Sequence, residues 1–173
     1  VVRLIQKWLT AGAMEDGKWT ESEVGSPQGA TVSPLLANVY LHYVFDLWLQ
    51  RWRQRHARGD VIAVRYADDF IVGFQHRSDA ERFLTELRER FAKFHLELHP
   101  DKTRLVEFGR HALENHQRKQ SDKPGTFNFL GFTHVSGRSR QGRFILRRHT
   151  ERKRMTAKLH ELAIEMRSRM HHS

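Results

Sequence analysis

The stretch VIAVRYADDFIVGF, residues 61–74, decides the fold because it places two adjacent aspartates between two apolar runs. The runs on either side of Asp68 and Asp69 are typical of buried strands. Neighbouring side chains of a regular strand point to opposite faces of a sheet, which would separate the two carboxylates. A hairpin in which residues 61–66 pair with residues 70–74 instead gathers both aspartates near its tip.

The turn of this hairpin, predicted at residues 67–70, has two explanations. Two crowded carboxylates repel each other unless a cation or a proton intervenes, and Mg²⁺ is the natural hard, oxygen-seeking candidate. Aspartate is also a favoured turn residue, so the pair is compatible with an ordinary solvated turn. The residues of the turn alone leave both explanations open.

The composition of the chain predicts an anionic partner. Its 173 residues contain 30 Lys and Arg against 20 Asp and Glu, a net charge of +10. Nucleic acid and anionic membrane are the abundant partners for such an excess. No apolar run is long enough to span a bilayer and no signal-peptide pattern is present, which favours a cytoplasmic protein without membrane attachment. Cysteine is absent, so disulfides and thiolate metal sites are excluded.

The hydrophobic periodicity predicts an α+β fold, with hairpins in place of repeated βαβ units. The predicted order is helix, helix, hairpin, helix, strand, hairpin, helix. The helices are predicted at residues 1–11, 34–56, 79–96 and from Thr150 onward, and the further strands at residues 103–109, 127–135 and 143–149. Residues 12–32 and 110–126 are predicted as polar loops. Ser78, three residues before Glu81, is predicted to cap the third helix.

Four blocks of the chain resemble those of reverse transcriptases and follow the same order. YADD, residues 66–69, matches the YxDD box of that family. GSPQGATVSPLLANVYLHYVFDLW, residues 25–48, is similar to the nucleotide-pocket block; LELHPDKTRLVEFG, residues 96–109, to the block after the YxDD box; and FNFLGF, residues 127–132, to the primer grip. Group II intron-encoded and retron-type bacterial enzymes are the most similar. Diversity-generating and CRISPR-associated relatives share these blocks, so the subfamily stays open.

This resemblance implies the fold of a reverse-transcriptase palm, an antiparallel sheet with helices packed on one face. Residues 1–150 would be a partial palm that includes the primer-grip hairpin, and residues 151–173 would begin the thumb helix. The family has a third catalytic carboxylate on a strand before the nucleotide-pocket block, and no similar block occurs here. The chain also begins Val-Val-Arg without an initiator Met. We therefore expect a piece of a longer protein, inactive by itself, whose exposed sheet edge favours a homodimer.

The resemblance assigns the two aspartates to a two-metal site. In such a polymerase, paired Mg²⁺ ions stabilise the attacking 3′ oxygen and the leaving pyrophosphate. Asp68 would bind metal, with Asp69 beside it in a supporting role. Tyr66 would line the site beneath the primer terminus, with a core aromatic as its ordinary explanation, and the small Ala67 would leave space for a sugar. Two carboxylates alone are too few ligands for two Mg²⁺ ions, so the site is expected to be incomplete.

The resemblance also implies contacts to the incoming dNTP. Gln28 and Gly29 would contact the nucleotide and the templating base pair, with Pro27 and Ala30 next to them. An ordinary loop before a helix is the alternative. Lys102 would protonate the leaving pyrophosphate or neutralise its charge. The alternative for Lys102 is a solvated surface lysine.

Primer contacts are expected in the last third of the chain. Phe129, Leu130 and Gly131 would form a hairpin that presses on the primer backbone, with core packing as the alternative for the aromatic side chain. Arg147 and Arg148 belong to a basic cluster that would bind phosphates. An exposed charged face is the alternative explanation of that cluster.

These features together predict an RNA-directed DNA polymerase of a group II intron-type mobile element in the bacterial cytoplasm. Its partners would be an RNA template, a DNA primer and dNTPs. The alternative is a non-catalytic maturase that binds intron RNA and assists splicing. A nucleotidyl cyclase palm also uses a hairpin with acidic residues, but the SPQG and FLGF blocks disfavour it.

Overall fold

The computed structural model divides the chain into two compact units, residues 1–99 and 100–173. The residues that the structure describes are 2–9, 13–15, 18–20, 33–119 and 125–170. Each unit combines helices with small antiparallel sheets, which confirms the predicted α+β class. The predicted boundary between palm and thumb at residue 150 stays a prediction.

Among its described residues, the first unit contains the five elements expected from the sequence and a short additional hairpin. In chain order its elements are α1 (Val2–Leu9), β1 (Ala13–Glu15), β2 (Lys18–Thr20), α2 (Ser33–Leu41), a π-helical segment (His42–Asp46), α3 (Leu47–Arg55), β3 (Val61–Tyr66), β4 (Asp69–Phe74) and α4 (Arg77–Ala92). Strands β1 and β2 pair in antiparallel register. Part of the stretch predicted as a polar loop is therefore a short hairpin.

The helix predicted at residues 34–56 is nearly continuous, but its middle is π-helical. Leu47 donates its backbone N–H to the carbonyl of His42, five residues earlier. A π-helical turn contains an extra residue, so it rotates the residues that follow relative to those that precede. Val44 and Phe45 inside the segment are both buried. Asp46, at its end, contacts Arg65 of strand β3.

The β3–β4 hairpin has the predicted strand pairing, with one correction to its turn. Tyr66 lies directly opposite Asp69 in the antiparallel register. The turn therefore consists only of Ala67 and Asp68, and β4 begins one residue earlier than predicted. Two-residue loops are favoured because their backbone matches the twist of the paired strands.

One face of this hairpin packs against the helices of the first unit. The buried cluster consists of Val44, Phe45, Leu49, Trp52, Phe83, Leu87 and Phe91. The hairpin residues packed against it are Val61, Phe70, Val72 and Phe74. The rings of Phe45 and Phe70 lie 4.4 Å apart between centroids, which joins the π-helical segment directly to β4. The helices cover one face of the hairpin, as the sequence predicts.

Helix α4 begins differently from the prediction. His76 is its N-cap residue and makes no side-chain capping bond. The predicted cap at Ser78 is wrong because Ser78 lies inside the first turn. The buried side chain of that turn is Asp79, whose Oδ2 accepts a hydrogen bond of 2.8 Å from the backbone N–H of Arg58. This bond connects the start of α4 to the loop before β3.

The described residues of the second unit form one three-stranded sheet and two helices. Its elements are α5 (Arg110–Lys119), β5 (Phe127–Phe129), β6 (Phe132–Arg138), β7 (Phe144–Thr150) and α6 (Arg152–Arg169). The strands are antiparallel in the order β5, β6, β7.

Two predictions for the second unit are wrong. Residues 103–109 form no regular strand, and residues 110–119 form helix α5 instead of a loop. A strand needs a partner that offers hydrogen bonds, and no strand pairs with residues 103–109 within the described sheets. Helix α5 is anchored by the buried Ala112 and by the bond from the Gly109 N–H to the Ser136 Oγ, 3.0 Å long.

The strand predicted over residues 127–135 is interrupted by a two-residue turn. Phe129 lies opposite Phe132, and Leu130 and Gly131 connect them. The φ angles of Leu130 and Gly131 are +50° and +81°. Positive φ at both central residues is the pattern of a type I′ turn, which glycine favours.

Helix α6 presents all its side chains to solvent in the described part of the chain. Its exposed apolar residues include Met155, Leu159, Leu162 and Met166, at spacings of three or four. Within the described residues, no helix combines the length and the apolar character that crossing a bilayer requires.

A substitution in the buried cluster tests this arrangement. Leu87→Ala removes a side chain that is 2% exposed, and we expect a loss of about 2–5 kcal/mol in the free energy of unfolding. Leu35→Ala in helix α2 is the matched control, because Leu35 is 64% exposed and its loss should cost about 0.5 kcal/mol or less. Urea denaturation followed by tryptophan fluorescence measures both. Equal losses for the two variants would contradict the core described here.

Candidate active site

The acidic tip of the β3–β4 hairpin, residues 67–69, is built on a strained turn. Ala67 has a φ of +53°, and Asp68 is not among the residues with positive φ. This sign pattern is that of a type II′ turn, which normally places glycine first. An alanine in this left-handed region is disfavoured by contacts of its Cβ atom, so neighbouring contacts must stabilise the conformation.

Both carboxylates of the acidic tip are exposed. Asp68 occupies the second turn position and Asp69 the first position of β4, so they lie at the same end of the hairpin. Neither carboxylate has a hydrogen-bond or ion-pair partner in the part of the chain that the structure describes. Their negative charges are therefore available to a cation that approaches from solvent.

The acidic tip fits part of a Mg²⁺ site. Carboxylate oxygens are the hard ligands that Mg²⁺ prefers. Among the described residues, however, no group of three or more His, Cys, Asp or Glu side chains could bind a metal together. Asp68 and Asp69 thus supply two carboxylates, and the third that the resemblance calls for is not found among these residues.

A charged network lies directly behind the acidic tip. Arg65 donates from Nε to Asp46 Oδ1 at 2.8 Å and from Nη2 to Asp46 Oδ2 at 2.6 Å. Its Nη1 donates to Asn38 Oδ1 and to the backbone carbonyl of Ala67, both at 2.8 Å. We call these four residues the Arg65 network. It joins strand β3, helix α2, the π-helical segment and the turn.

The electrostatics of the Arg65 network keep Asp46 ionised. Hydrogen bonding from Arg65 lowers the pKa of Asp46 below its usual 3.8, against the opposing effect of burial. The same bond raises the pKa of Arg65. Because the pKa of Asp46 is lowered in the folded state, its contribution to stability is present above pH 3.8 and is lost as the pH falls through the lowered value.

Tyr66 lies on the face of the hairpin opposite the core. It is 66% exposed, so the alternative that it is a core aromatic is wrong. Ile62 and Val64 on the same strand face are also exposed. An apolar surface therefore extends from the acidic tip along the outer face of β3.

Lys102 belongs to the second unit and lies in an irregular stretch. Its side chain is exposed and has no partner among the described residues. The amine is therefore available to an anionic ligand, and its role with pyrophosphate stays a prediction.

The primer-grip candidates surround the second two-residue turn. Leu130 is exposed at the turn, whereas Phe129 is partly buried at the end of β5. The carbonyl of Gly131 accepts a hydrogen bond of 2.9 Å from the backbone N–H of Glu151. A Cβ atom at Gly131 would lie 3.1 Å from Nη1 of Arg154, so glycine allows the close approach of helix α6.

The basic candidates lie next to each other on strand β7. Arg147 and Arg148 point to opposite faces of the sheet because they are neighbours on a strand. Arg147 crosses over Gly137, where an added Cβ atom would lie 3.1 Å from its Nε, and its Nη2 donates to the carbonyl of Arg138 at 3.1 Å. Both arginines are exposed, and phosphate binding by them stays a prediction.

The nucleotide-pocket candidates Pro27, Gln28, Gly29 and Ala30 lie outside the described residues. Their contacts with a dNTP stay predictions.

Sequence reasoning missed Arg65 and Asp46, although both break a pattern. Arg65 lies on the core-facing side of β3, the same face as Val61 and Ala63. Asp46 interrupts the apolar run LHYVFDLWL of the second helix. A charged residue at a half-buried position normally has a partner. The two charged residues within apolar patterns could therefore have predicted an ion pair between them.

The part of the chain that contains the acidic tip matches a known protein family. The sequence profile of the family described as "Reverse transcriptase (RNA-dependent DNA polymerase)" matches residues 1–134. The chain therefore belongs to the reverse transcriptase family.

Individual relatives match over shorter stretches. The "Group II intron-encoded protein LtrA" of Lactococcus lactis subsp. cremoris is 46% identical over 48 residues, which are 28% of this chain and 8% of the relative. The "Uncharacterized 91 kDa protein in cob intron" of Schizosaccharomyces pombe is 49% identical over 41 residues, 24% of this chain and 5% of the relative. These matches span less than a tenth of either relative.

The strained turn generates a prediction with an internal control. Ala67→Gly should leave stability unchanged or raise it by up to about 1 kcal/mol, because glycine adopts positive φ without a steric penalty. Ala63→Gly, in the middle of β3, should lower stability by about 0.5–1 kcal/mol, the usual cost of glycine in a strand. Chemical denaturation of the two variants measures the difference. A loss at Ala67 as large as that at Ala63 would show that the left-handed turn is not formed in solution.

Proposed function

We propose that this member of the reverse transcriptase family forms part of an RNA-directed DNA polymerase encoded by a group II intron-type mobile element. The observation that carries the proposal is the pair of exposed carboxylates, without partners among the described residues, on the hairpin that bears the YADD sequence. The similarity to a group II intron-encoded protein supports the subfamily. The polymerase would act in the bacterial cytoplasm.

The proposed chemistry is two-metal nucleotidyl transfer, with Asp68 and Asp69 as metal ligands. The bound Mg²⁺ ions would neutralise the charge that develops on the primer 3′ oxygen and on the pyrophosphate. Asp68 presents its carboxylate from the turn, and Asp69 presents its carboxylate from the start of β4. Tyr66 flanks them on the exposed face, where a primer terminus can contact its ring.

Further contacts with the substrates are proposed. Gln28 and Gly29, flanked by Pro27 and Ala30, would contact the dNTP and its base pair. Lys102 would act as general acid or as a counter-charge for pyrophosphate, a role worth about 10²–10⁴ in rate.

Binding of an RNA template and a DNA primer follows from charge. The net charge of +10 gives a long-range attraction to phosphates, and exposed arginines on β7 and α6 supply direct contacts. Arg147 and Arg148 would bind phosphates, and Phe129, Leu130 and Gly131 would contact the primer. Such binding weakens steeply as salt increases, because it releases counterions.

A maturase function is the second candidate, because the same basic surface would bind intron RNA. The two functions differ in their need for the acidic tip. Splicing assistance rests on RNA binding alone, whereas polymerisation requires the carboxylates.

A homodimer is a further part of the proposal. In the described part of the chain β3 and β4 pair only with each other, so their outer edges are open to a strand from a second copy.

The substitution Asp68→Asn separates polymerase from maturase. In a full-length protein that contains this chain, it should reduce primer extension on an RNA template by about 10³-fold or more, because a member of a catalytic unit is lost. Binding of intron RNA and splicing should persist. Asp60→Asn is the matched control, since Asp60 is an exposed aspartate just before the opposite end of β3. Undiminished primer extension by Asp68→Asn would contradict the polymerase proposal.

The isolated 173-residue chain should not extend primers. Two carboxylates are fewer than two Mg²⁺ ions need to be bound in defined positions. The measurement is incorporation of labelled dNTP on a primed RNA template, with a complete reverse transcriptase as the positive control and the Asp68→Asn chain as the blank. Incorporation above that blank would show that the chain contains a complete site.

A further inference from the structure

The carbonyl of Ala67 is bound by a side chain that three oxygen atoms of two other residues orient. The guanidinium of Arg65 reaches this carbonyl with Nη1 at 2.8 Å, while Nε and Nη2 bind the carboxylate of Asp46. Asn38 accepts a further bond from Nη1 and is itself oriented by a bond from its Nδ2 to the carbonyl of Pro34, 3.0 Å long. The Arg65 side chain is only 16% exposed, so water competes little for these bonds.

We propose that Arg65 and Asp46 are positioning residues, which set the geometry of the acidic tip for metal binding. This inference rests on the proposed polymerase function, in which the acidic tip binds metal. It assigns to Arg65, Asp46 and Asn38 a role that acts through Asp68, without contact to metal or substrate.

The geometric reason is the planarity of the peptide bond. The carbonyl of Ala67 and the backbone N–H of Asp68 belong to the same planar unit. A donor that fixes the direction of this carbonyl therefore fixes the plane through which the chain enters Asp68. Since Ala67 is in a disfavoured left-handed conformation, the bond from Arg65 also stabilises a turn that its own sequence does not favour.

The Arg65 network connects the turn to the buried core. Asp46 directly follows Phe45, which is buried and packs against Phe70 of the same hairpin. The π-helical segment places Phe45 and Asp46 so that one packs below the hairpin and the other binds Arg65. The acidic tip is therefore tied to the buried cluster of the first unit.

Lysine cannot replace Arg65 in this role. The guanidinium is a planar fork that binds the carboxylate with two parallel bonds and still offers Nη1 to the turn. A lysine amine is a single point charge, and it can pair with Asp46 but cannot hold Asp46, Asn38 and Ala67 in one plane. Arg65→Lys therefore retains the positive charge while it removes the orienting geometry.

The ordinary alternative is that the bridge only stabilises the fold. A second charged bridge in the same unit provides the control for it: Arg82 Nε binds Glu86 Oε1 at 2.6 Å, and Glu86 Oε2 accepts from Trp52 Nε1 at 2.6 Å. This bridge joins α4 to α3 and has no contact with the turn among the described residues. Arg82→Lys thus tests loss of a charged bridge, at a more exposed arginine, without the link to the acidic tip.

The experiment uses a full-length protein that contains this chain, in wild-type, Arg65→Lys, Asp46→Asn and Arg82→Lys forms and as the double variant of Arg65→Lys with Asp46→Asn. Primer extension on an RNA template gives kcat, KM for dNTP and the Mg²⁺ concentration at half-maximal rate. Amide hydrogen exchange of peptides that cover residues 61–74, without metal, reports on the turn independently of activity. Asn38→Ala, which removes the bonds to Arg65 and to the Pro34 carbonyl from an exposed side chain, provides a milder variant should Arg65→Lys fail to fold.

We expect Arg65→Lys to lower kcat by about 10–100-fold, the scale of a misplacement near 1 Å, while KM for dNTP changes by less than about threefold. The Mg²⁺ requirement should rise and the turn amides should exchange faster. Asp46→Asn should act in the same direction, and the double variant should lose little more than either single one because the residues work as a pair. Arg82→Lys should leave kcat and the exchange of the turn within about twofold of wild type.

Two outcomes would overturn the positioning role. One is a kcat of Arg65→Lys within about twofold of wild type, and the other is equal acceleration of turn exchange by Arg65→Lys and Arg82→Lys. An inactive wild-type protein, or an active Asp68→Asn variant, would instead contradict the polymerase function. In that case the exchange measurement still decides whether Arg65 orders the turn.

Discussion

The register of the β3–β4 hairpin is the constraint on which the rest of the first unit depends. Side chains alternate between the two faces of a strand, so a slip of one residue would move every apolar residue from the core to solvent. Burial of Phe70, Val72 and Phe74 against the helices excludes that slip. The same register places Tyr66 opposite Asp69 and leaves only two residues for the turn. Packing at the base of the hairpin thus determines where the acidic tip lies.

This register also has an electrostatic consequence. It directs Arg65 to the face that packs against the helices, where an unpaired charge is unfavourable. Asp46 offsets that cost, and the lowered pKa of Asp46 reflects the strength of the pairing. Buried bridges often stabilise a fold no better than apolar residues of the same size. A valine at position 65 would continue the core pattern of β3, but it would leave the carbonyl of Ala67 without its donor.

The sequence predicted those features that depend on local pattern. From the apolar runs on either side of the YADD residues, the sequence predicted the hairpin. It could not show the π-helical segment, because one extra residue in a turn hardly changes the apolar pattern of residues 42–46. The strand expected at residues 103–109 depends on a partner, which local pattern does not reveal. Helix α5 escaped notice because its sequence is polar and Ala112 supplies its buried contact.

The two turns that bear candidate site residues share a physical principle that explains why sequence places them but does not specify their geometry. In each, a donor from outside the turn binds a turn carbonyl: Arg65 binds Ala67, and the backbone N–H of Glu151 binds Gly131. Gly131 tolerates its positive φ without support, whereas Ala67 and Leu130 do not. The turn with the catalytic candidates therefore relies on a tertiary contact for its shape. A side chain at the turn of a metal site has to be both exposed and fixed, and a donor from the core side satisfies both requirements without blocking access to the carboxylates.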